Sequence, residues 1–265
     1  MTCMNPDWWP LAHLRLRTPR LELRLPSEAD LEALGDLAAL GVHDPLIQPF
    51  TFPWTDVSPA DRARSTLQYQ WSQWGQWRPE RWSLELAVFY EGDAVGVQGL
   101  SATDFSVLRQ VGTGSWLGLQ HHGRGIGTEM RAAALYLAFE GLGAGDAVSA
   151  AFTDNPASIR VSRKLGYVDD GIERHISRGR PAVLQRLRLD RATWEANQQV
   201  PVTVHGLGRC LPMFGVGDVG VLPGAGGRVT AAAGARADLI HQVPTASADA
   251  AGRSAAGHGR EPDRD

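Results

Sequence analysis

The stretch Gly114-Ser115-Trp116-Leu117-Gly118-Leu119-Gln120-His121-His122-Gly123-Arg124-Gly125-Ile126-Gly127-Thr128 can do chemistry with its backbone alone. Glycines at 123, 125 and 127 let the main chain approach an anion closely. A helix starting there aims its unpaired N–H groups, with the helix dipole behind them, at the same point. That combination is a phosphate cradle. No Lys-Ser or Lys-Thr pair follows, so the pattern is not a P-loop. A dinucleotide fingerprint also fits poorly, because the turn comes mid-chain after antiparallel-looking strands and lacks a well-placed acidic partner.

A second constellation is Asn155-Pro156-Ala157-Ser158-Ile159-Arg160-Val161-Ser162-Arg163-Lys164-Leu165-Gly166-Tyr167. Asn155 caps a helix, Pro156 takes its first position and Gly166 stops it after Leu165, which by itself is plain capping chemistry. Neither cysteine, Cys3 or Cys210, has a local histidine partner, and no Gly-x-Ser-x-Gly elbow occurs. A covalent Ser or Cys nucleophile is therefore not indicated.

The elements that must hold these residues follow from periodicity. Leu21 to Leu25 alternates as a strand, Ser27 with Asp30 opens a helix to about Leu40, and Asp61 to Trp77 reads as a second helix with Leu67, Trp71 and Trp74 as a buried stripe. Between them His43 to Pro59 is a Pro-rich loop whose Phe50, Phe52 and Trp54 pack on the core or line a substrate entrance. Three strands, Trp82–Tyr90, Ala94–Ala102 and Val107–Leu119, form an antiparallel meander. After the glycine turn comes a buried helix carrying Ile126, Met130, Ala133 and Leu137. Then follow a strand Ala147–Phe152, the capped helix, strands Tyr167–Ile176 and Ala182–Leu189, a short helix Arg191–Asn197 and a last extended segment Val202–Gly215. This order predicts an α+β fold, a mixed but largely antiparallel sheet flanked by helices.

Composition narrows the function. The 265 residues allow one or two domains, and a net charge of −3 without a basic run argues against nucleic acid. The two cysteines lack metal-ligand spacing, so no metal site is expected. No signal peptide or apolar span is visible, which predicts a cytoplasmic protein away from membranes. We read residues 1–14 as an N-terminal extension and 15–216 as the single folded domain. From 217 to 265 the composition shifts to a Gly/Ala-rich tail, expected to be disordered.

The glycine turn and the Asn155 helix, in this order, resemble the GNAT superfamily of acyl-CoA-dependent N-acetyltransferases. Leu16-Arg17-Thr18-Pro19-Arg20-Leu21-Glu22-Leu23-Arg24 resembles the opening strand of the branch that acetylates N-termini of ribosomal proteins. The resemblance spans about residues 15 to 190. It implies that acetyl-CoA is the acyl donor, its pyrophosphate held over Leu117, Leu119, His122, Gly123, Arg124, Gly125, Ile126, Gly127 and Thr128. His122 stands where the family has Gln or Arg, so the backbone carries the contact. Asn155 and Ser158 are implied to lie along the pantetheine arm.

Many relatives place a proton-donating Tyr seven residues after that Asn. Here the position is Ser162, and the ribosomal-protein branch is matched instead by Ser158, which would hydrogen-bond the sulfur. The attacking amine needs a base. The branch's Glu position falls on Ser177, leaving Glu173 and His175 nearby as candidates and Asp104 or Glu85 on other strands.

The reading is an N-acetyltransferase acting by direct attack of a primary amine, on a peptide N-terminus or small molecule, as a monomer or homodimer. The alternative is a non-catalytic acyl-CoA-binding regulatory module, kept open by the missing Tyr and Glu. The acceptor is not legible, although Trp54, Trp71, Trp74 and Trp77 could form an amine-binding wall.

Overall fold

A computed structural model describes residues 5–217. The stretch expected to be a disordered tail lies outside the described residues from 218 onward. In chain order the elements are β1 (Arg15–Arg17), β2 (Leu21–Arg24), α1 (Glu28–Leu40), α2 (Pro59–Gly75), β3 (Arg81–Tyr90), β4 (Asp93–Thr103), α3 (Phe105–Leu108) and β5 (Gln110–Leu117). They continue with α4 (Ile126–Tyr136), β6 (Asp146–Phe152), α5 (Pro156–Lys164), β7 (Val168–Ser177), β8 (Arg180–Asp190), α6 (Arg191–Ala196), β9 (Thr203–His205) and α7 (Leu207–Cys210).

The nine strands form one sheet in the order β7-β8-β6-β5-β4-β3-β2-β1-β9. All neighbours are antiparallel except β5 and β6. Successive side chains of β3 point to opposite faces, and nearly all of them are buried because helices cover both. Leu84, Leu86 and Val88 join the main core with Ile126, Met130 and Ala133 of α4, whereas Ala87 and Phe89 pack with Val97 under Leu34 and Leu37 of α1. Helices α1 and α2 thus cover one face, and α4 with α5 the other.

Three expectations about the elements need correction. The third meander strand does not begin at Val107, because Phe105, wholly buried, pulls the chain into the single turn α3 between Asp104 and Arg109, both in left-handed conformation. The segment 202–215 is not extended throughout. Gly206 at φ 80° ends β9 beside the His13 carbonyl, and the chain then turns through α7 and a 3-10 turn to bury Cys210 and Phe214. On α2 Trp71 is 51% exposed, and the inward positions are Thr66 and Gln70. Of the expected stripe, Trp74 packs against the main core and Leu67 is half-buried beside Gly35 of α1, while only Trp71 faces outward.

Candidate functional site

Strands β5 and β6 pair only over Gln110–Asp146, Val111–Ala147 and Gly112–Val148. Beyond that point Gly114 to Leu117 stay with β4, and Ser149 to Phe152 stay with β8. The sheet therefore splits, leaving two diverging edges that do not pair with each other. A cavity of about 2020 Å³ fills the split and reaches the glycine turn, the start of α5 and the loop between α1 and α2.

The turn leaves the opening amides of α4 available. Helices α1, α2, α5 and α6 are each capped by a side chain, from Ser27, Ser58, Asn155 and Asp190, whereas α4 begins at Gly125 with no side-chain cap. Gly123 and Gly125 adopt φ 75° and 79°, so their positions need glycine; Gly127 has no such angle. A Cβ on Gly127 would meet Leu117 and Val161 at ordinary distances of 3.8 and 3.9 Å. The His122 ring turns back, its Nε2 3.2 Å from the Leu117 carbonyl, and Arg124 stacks its guanidinium over Tyr90. Beneath the turn, Glu129 accepts hydrogen bonds from the Thr18 hydroxyl at 2.6 Å and from Arg20 Nε at 2.7 Å. Arg20 also donates to the Arg124 carbonyl. This pins the turn to β2.

Across the cavity, the Asn155 side chain accepts from the Ser158 amide at 3.2 Å, which caps α5 and leaves the Ser158 hydroxyl half exposed at the cavity wall. Ser162 is different. Its hydroxyl is fully buried, donates to the Ser158 carbonyl at 3.2 Å and accepts from Arg131 Nη1 at 2.8 Å.

Of the expected site residues, the turn from Leu117 to Thr128, Asn155, Ser158, Glu173 and His175 all meet this one cavity, whereas the Arg124 and Ser162 side chains do not line it. Residues 20–168, more than half the chain, match the acetyltransferase (GNAT) domain family. The chain belongs to that family.

Solved structures agree at the level of the fold. RimJ of Mycobacterium smegmatis, in complex with a coenzyme A disulfide, is 20% identical with TM-score 0.58, over 79% of this chain and 97% of that one. RimL, a ribosomal L7/L12 α-N-protein acetyltransferase in complex with coenzyme A, is 19% identical with TM-score 0.54, over 65% and 95%. The spermidine/spermine N-acetyltransferase SpeG of Vibrio cholerae is 14% identical with TM-score 0.52, over 68% and 99%. Membership of the GNAT family implies an acyl-CoA-dependent acetyltransferase. The uncapped α4 terminus and the open strand edges fit such a donor, since they present backbone donors and acceptors where a pyrophosphate and an amide-bearing arm need them.

The other half of this GNAT domain's cavity holds Glu85, one of the acidic candidates named from the sequence, in an arrangement that local sequence reading missed. On the α1–α2 face, Ser83, Ser101 and Gly112 form one row across three strands, and Glu85, Gly99 and Gly114 form the next. Glu85 is 3% exposed and accepts from the hydroxyls of Tyr69 at 3.2 Å and Ser83 at 2.8 Å. Burial, and then the neighbouring Glu85 carboxylate, push the Tyr69 phenol well above its ordinary range, so it stays a neutral donor. The result is a trough of small residues running from a carboxylate to the split. Thr66 and Gln70, four apart on α2, are buried and line the same cavity.

Glu173 and His175 stand on β7 at the rim. Their side chains touch at 3.3 Å, and Glu173 also accepts from Arg186 at 3.3 Å. Asp104 is exposed and does not line the cavity. The four tryptophans do not form a wall. Trp54 lines the cavity, its ring 5.8 Å from Trp116, but Trp77 is buried against Trp9, Trp82 and Phe214 elsewhere. The aromatic loop both packs and lines the entrance. It is bridged across the cleft by Arg178, at the tip of the β7–β8 turn, which donates to the Asp56 carboxylate at 2.8 and 2.6 Å and to the Pro45 carbonyl at 2.8 Å.

Proposed function

We propose that this protein is an N-acetyltransferase that moves an acetyl group from acetyl-CoA to a primary amine, on a peptide N-terminus or a small molecule. The observation carrying the reading is the joining, in one cavity, of an uncapped glycine-headed helix to a sheet split between β5 and β6. The turn holds the pyrophosphate, Asn155 and Ser158 flank the pantetheine arm, and the Ser158 hydroxyl donates to the sulfur. The amine enters over the small-residue trough and attacks the thioester directly.

An amine arrives mainly as the ammonium and must lose a proton before it can attack. We assign that proton to Glu85, whose row of glycines leaves a lane for water toward the split; the row spans two strand spacings, about 10 Å. Glu173 with His175 is the competing acceptor. Glu85→Gln lowering kcat while Glu173→Gln leaves it intact supports the assignment, and the reverse outcome moves the role to the rim.

The experiment for the whole reading is thiol release from acetyl-CoA across peptides, amino acids and polyamines, beside calorimetry of coenzyme A binding. Turnover with at least one amine is expected. Binding without turnover on any amine would favour a regulatory acyl-CoA sensor, and absence of binding would remove the reading altogether.

A further inference from the structure

Arg131 is a buried cation without a counter-ion among the described residues. It is 4% exposed, and none of the ion pairs among the described residues includes it. Two neutral hydroxyls receive it, Ser162 at 2.8 Å from Nη1 and Ser115 at 3.3 Å from Nη2, and its Nε is buried without any partner. A guanidinium has five N–H donors, so most of its capacity is unspent. The Tyr167 phenol interacts with it electrostatically, but burial holds that phenol in its neutral form, and it meets the Thr113 hydroxyl at 3.1 Å. A buried charge without an opposite charge is strongly unfavourable, and an apolar side chain of the same volume would serve stability better.

Its place explains what it is for. Arg131 lies one helical turn below Gly127 on the same face of α4, reaches Ser115 on the splayed half of β5 and Ser162 on α5, and lines the cavity. Ser162 spends its proton on the Ser158 carbonyl and therefore cannot give one to a leaving group.

We propose that Arg131 is a catalytic residue that contacts the coenzyme A sulfur and stabilises it as a thiolate when the thioester breaks. The inference rests on the acetyltransferase reading above. In the step, the amine nitrogen forms its bond to the carbonyl carbon, the carbon–sulfur bond breaks, and its electron pair stays on sulfur beside the guanidinium. The nitrogen's proton leaves toward Glu85 and water, and the thiolate takes a proton from solvent after release. A guanidinium does not itself lose a proton at working pH, so charge stabilisation replaces proton donation.

The test reads the cofactor thiol directly. Coenzyme A is titrated on the protein by the ultraviolet absorbance of its thiolate, with wild type, Arg131→Met and Arg131→Lys. A bound thiol in wild type should ionise at least tenfold more readily than that of free coenzyme A titrated beside it. Arg131→Met should restore ordinary ionisation, and Arg131→Lys should retain part of the shift. Arg160 and Lys164 also line the cavity, so only the difference between variants counts. With an active acceptor, kcat should fall at unchanged KM for acetyl-CoA. Binding of coenzyme A with an unshifted thiol in wild type overturns the inference while leaving the acetyltransferase reading intact. So does an Arg131→Met variant that loses only donors whose acyl group ends in a carboxylate. No binding at all instead overturns the reading beneath it. If Arg131→Met does not fold, the wild-type titration and the lysine variant still decide.

Discussion

The carboxylate of Glu129, in the first turn of α4, lies 2.7 Å from Arg20 Nη2 on the loop that opens β2. It joins residues 109 positions apart and ties the glycine turn to the rigid sheet. Glu129→Gln keeps the shape and removes the charge. Because Arg20 is 42% exposed, the loss should be that of charge-assisted hydrogen bonds, about 1–3 kcal/mol, below that of a fully buried pair. Denaturant melts should show it, and coenzyme A affinity should fall with it.

Gly125 and Gly127 should separate backbone need from ligand need. Gly125→Val forces a side chain onto a φ of 79° and should cost both stability and at least tenfold in coenzyme A affinity, about 1.4 kcal/mol. Gly127→Ala places a Cβ with ordinary contacts inside a helix, so stability should rise by up to about 1 kcal/mol. A fall in affinity without a fall in melting temperature would mark Gly127 as kept for the ligand; unchanged calorimetry for both would remove the turn from the site.

The two serines of α5 should differ in kind. Ser158→Ala removes a hydroxyl at the cavity wall and should slow turnover with stability and coenzyme A affinity nearly unchanged. Ser162→Ala removes the acceptor of Arg131 Nη1 from a fully buried place and should cost about 1–3 kcal/mol in unfolding free energy. Equal melting curves for wild type and Ser162→Ala would show that Arg131 finds another acceptor.

Cys210 is buried, and desolvation pushes its thiol up to about 11. It should be inert to thiol reagents in the native protein. With two cysteines in the chain, a disulfide reagent should titrate at most one thiol before denaturation and two afterwards. Reaction of both in the folded state would contradict the packing around residue 210.

What was legible in the sequence was local. The glycine spacing, the Asn155-Pro156 cap and the alternation of Leu21 to Leu25 each announce themselves within a dozen residues, because capping and pleating act over that range. Arg131 gave no such sign. On the helix it reads as one more arginine, and its meaning comes from Ser115 and Ser162, which only the fold brings to it. Glu85 was visible only as one of several acidic candidates, since the glycines beside it that open its lane lie on two other strands. The strand expected at Val107 failed because a single buried ring, Phe105, outweighed the β-propensity of its neighbours.

The bridge from Arg178 to Asp56 and Pro45 turns an open groove into a hoop. A groove can be approached broadside by a bulky polymer; a hoop admits only what can be threaded through it. Amines should accordingly be sorted by girth and not by length, with a slender stem accepted and the same amine on a wide rigid body refused. Cutting the hoop with Arg178→Ala should let the wide one in, and if the wide amine is already a good acceptor of the intact protein, the hoop is no sieve.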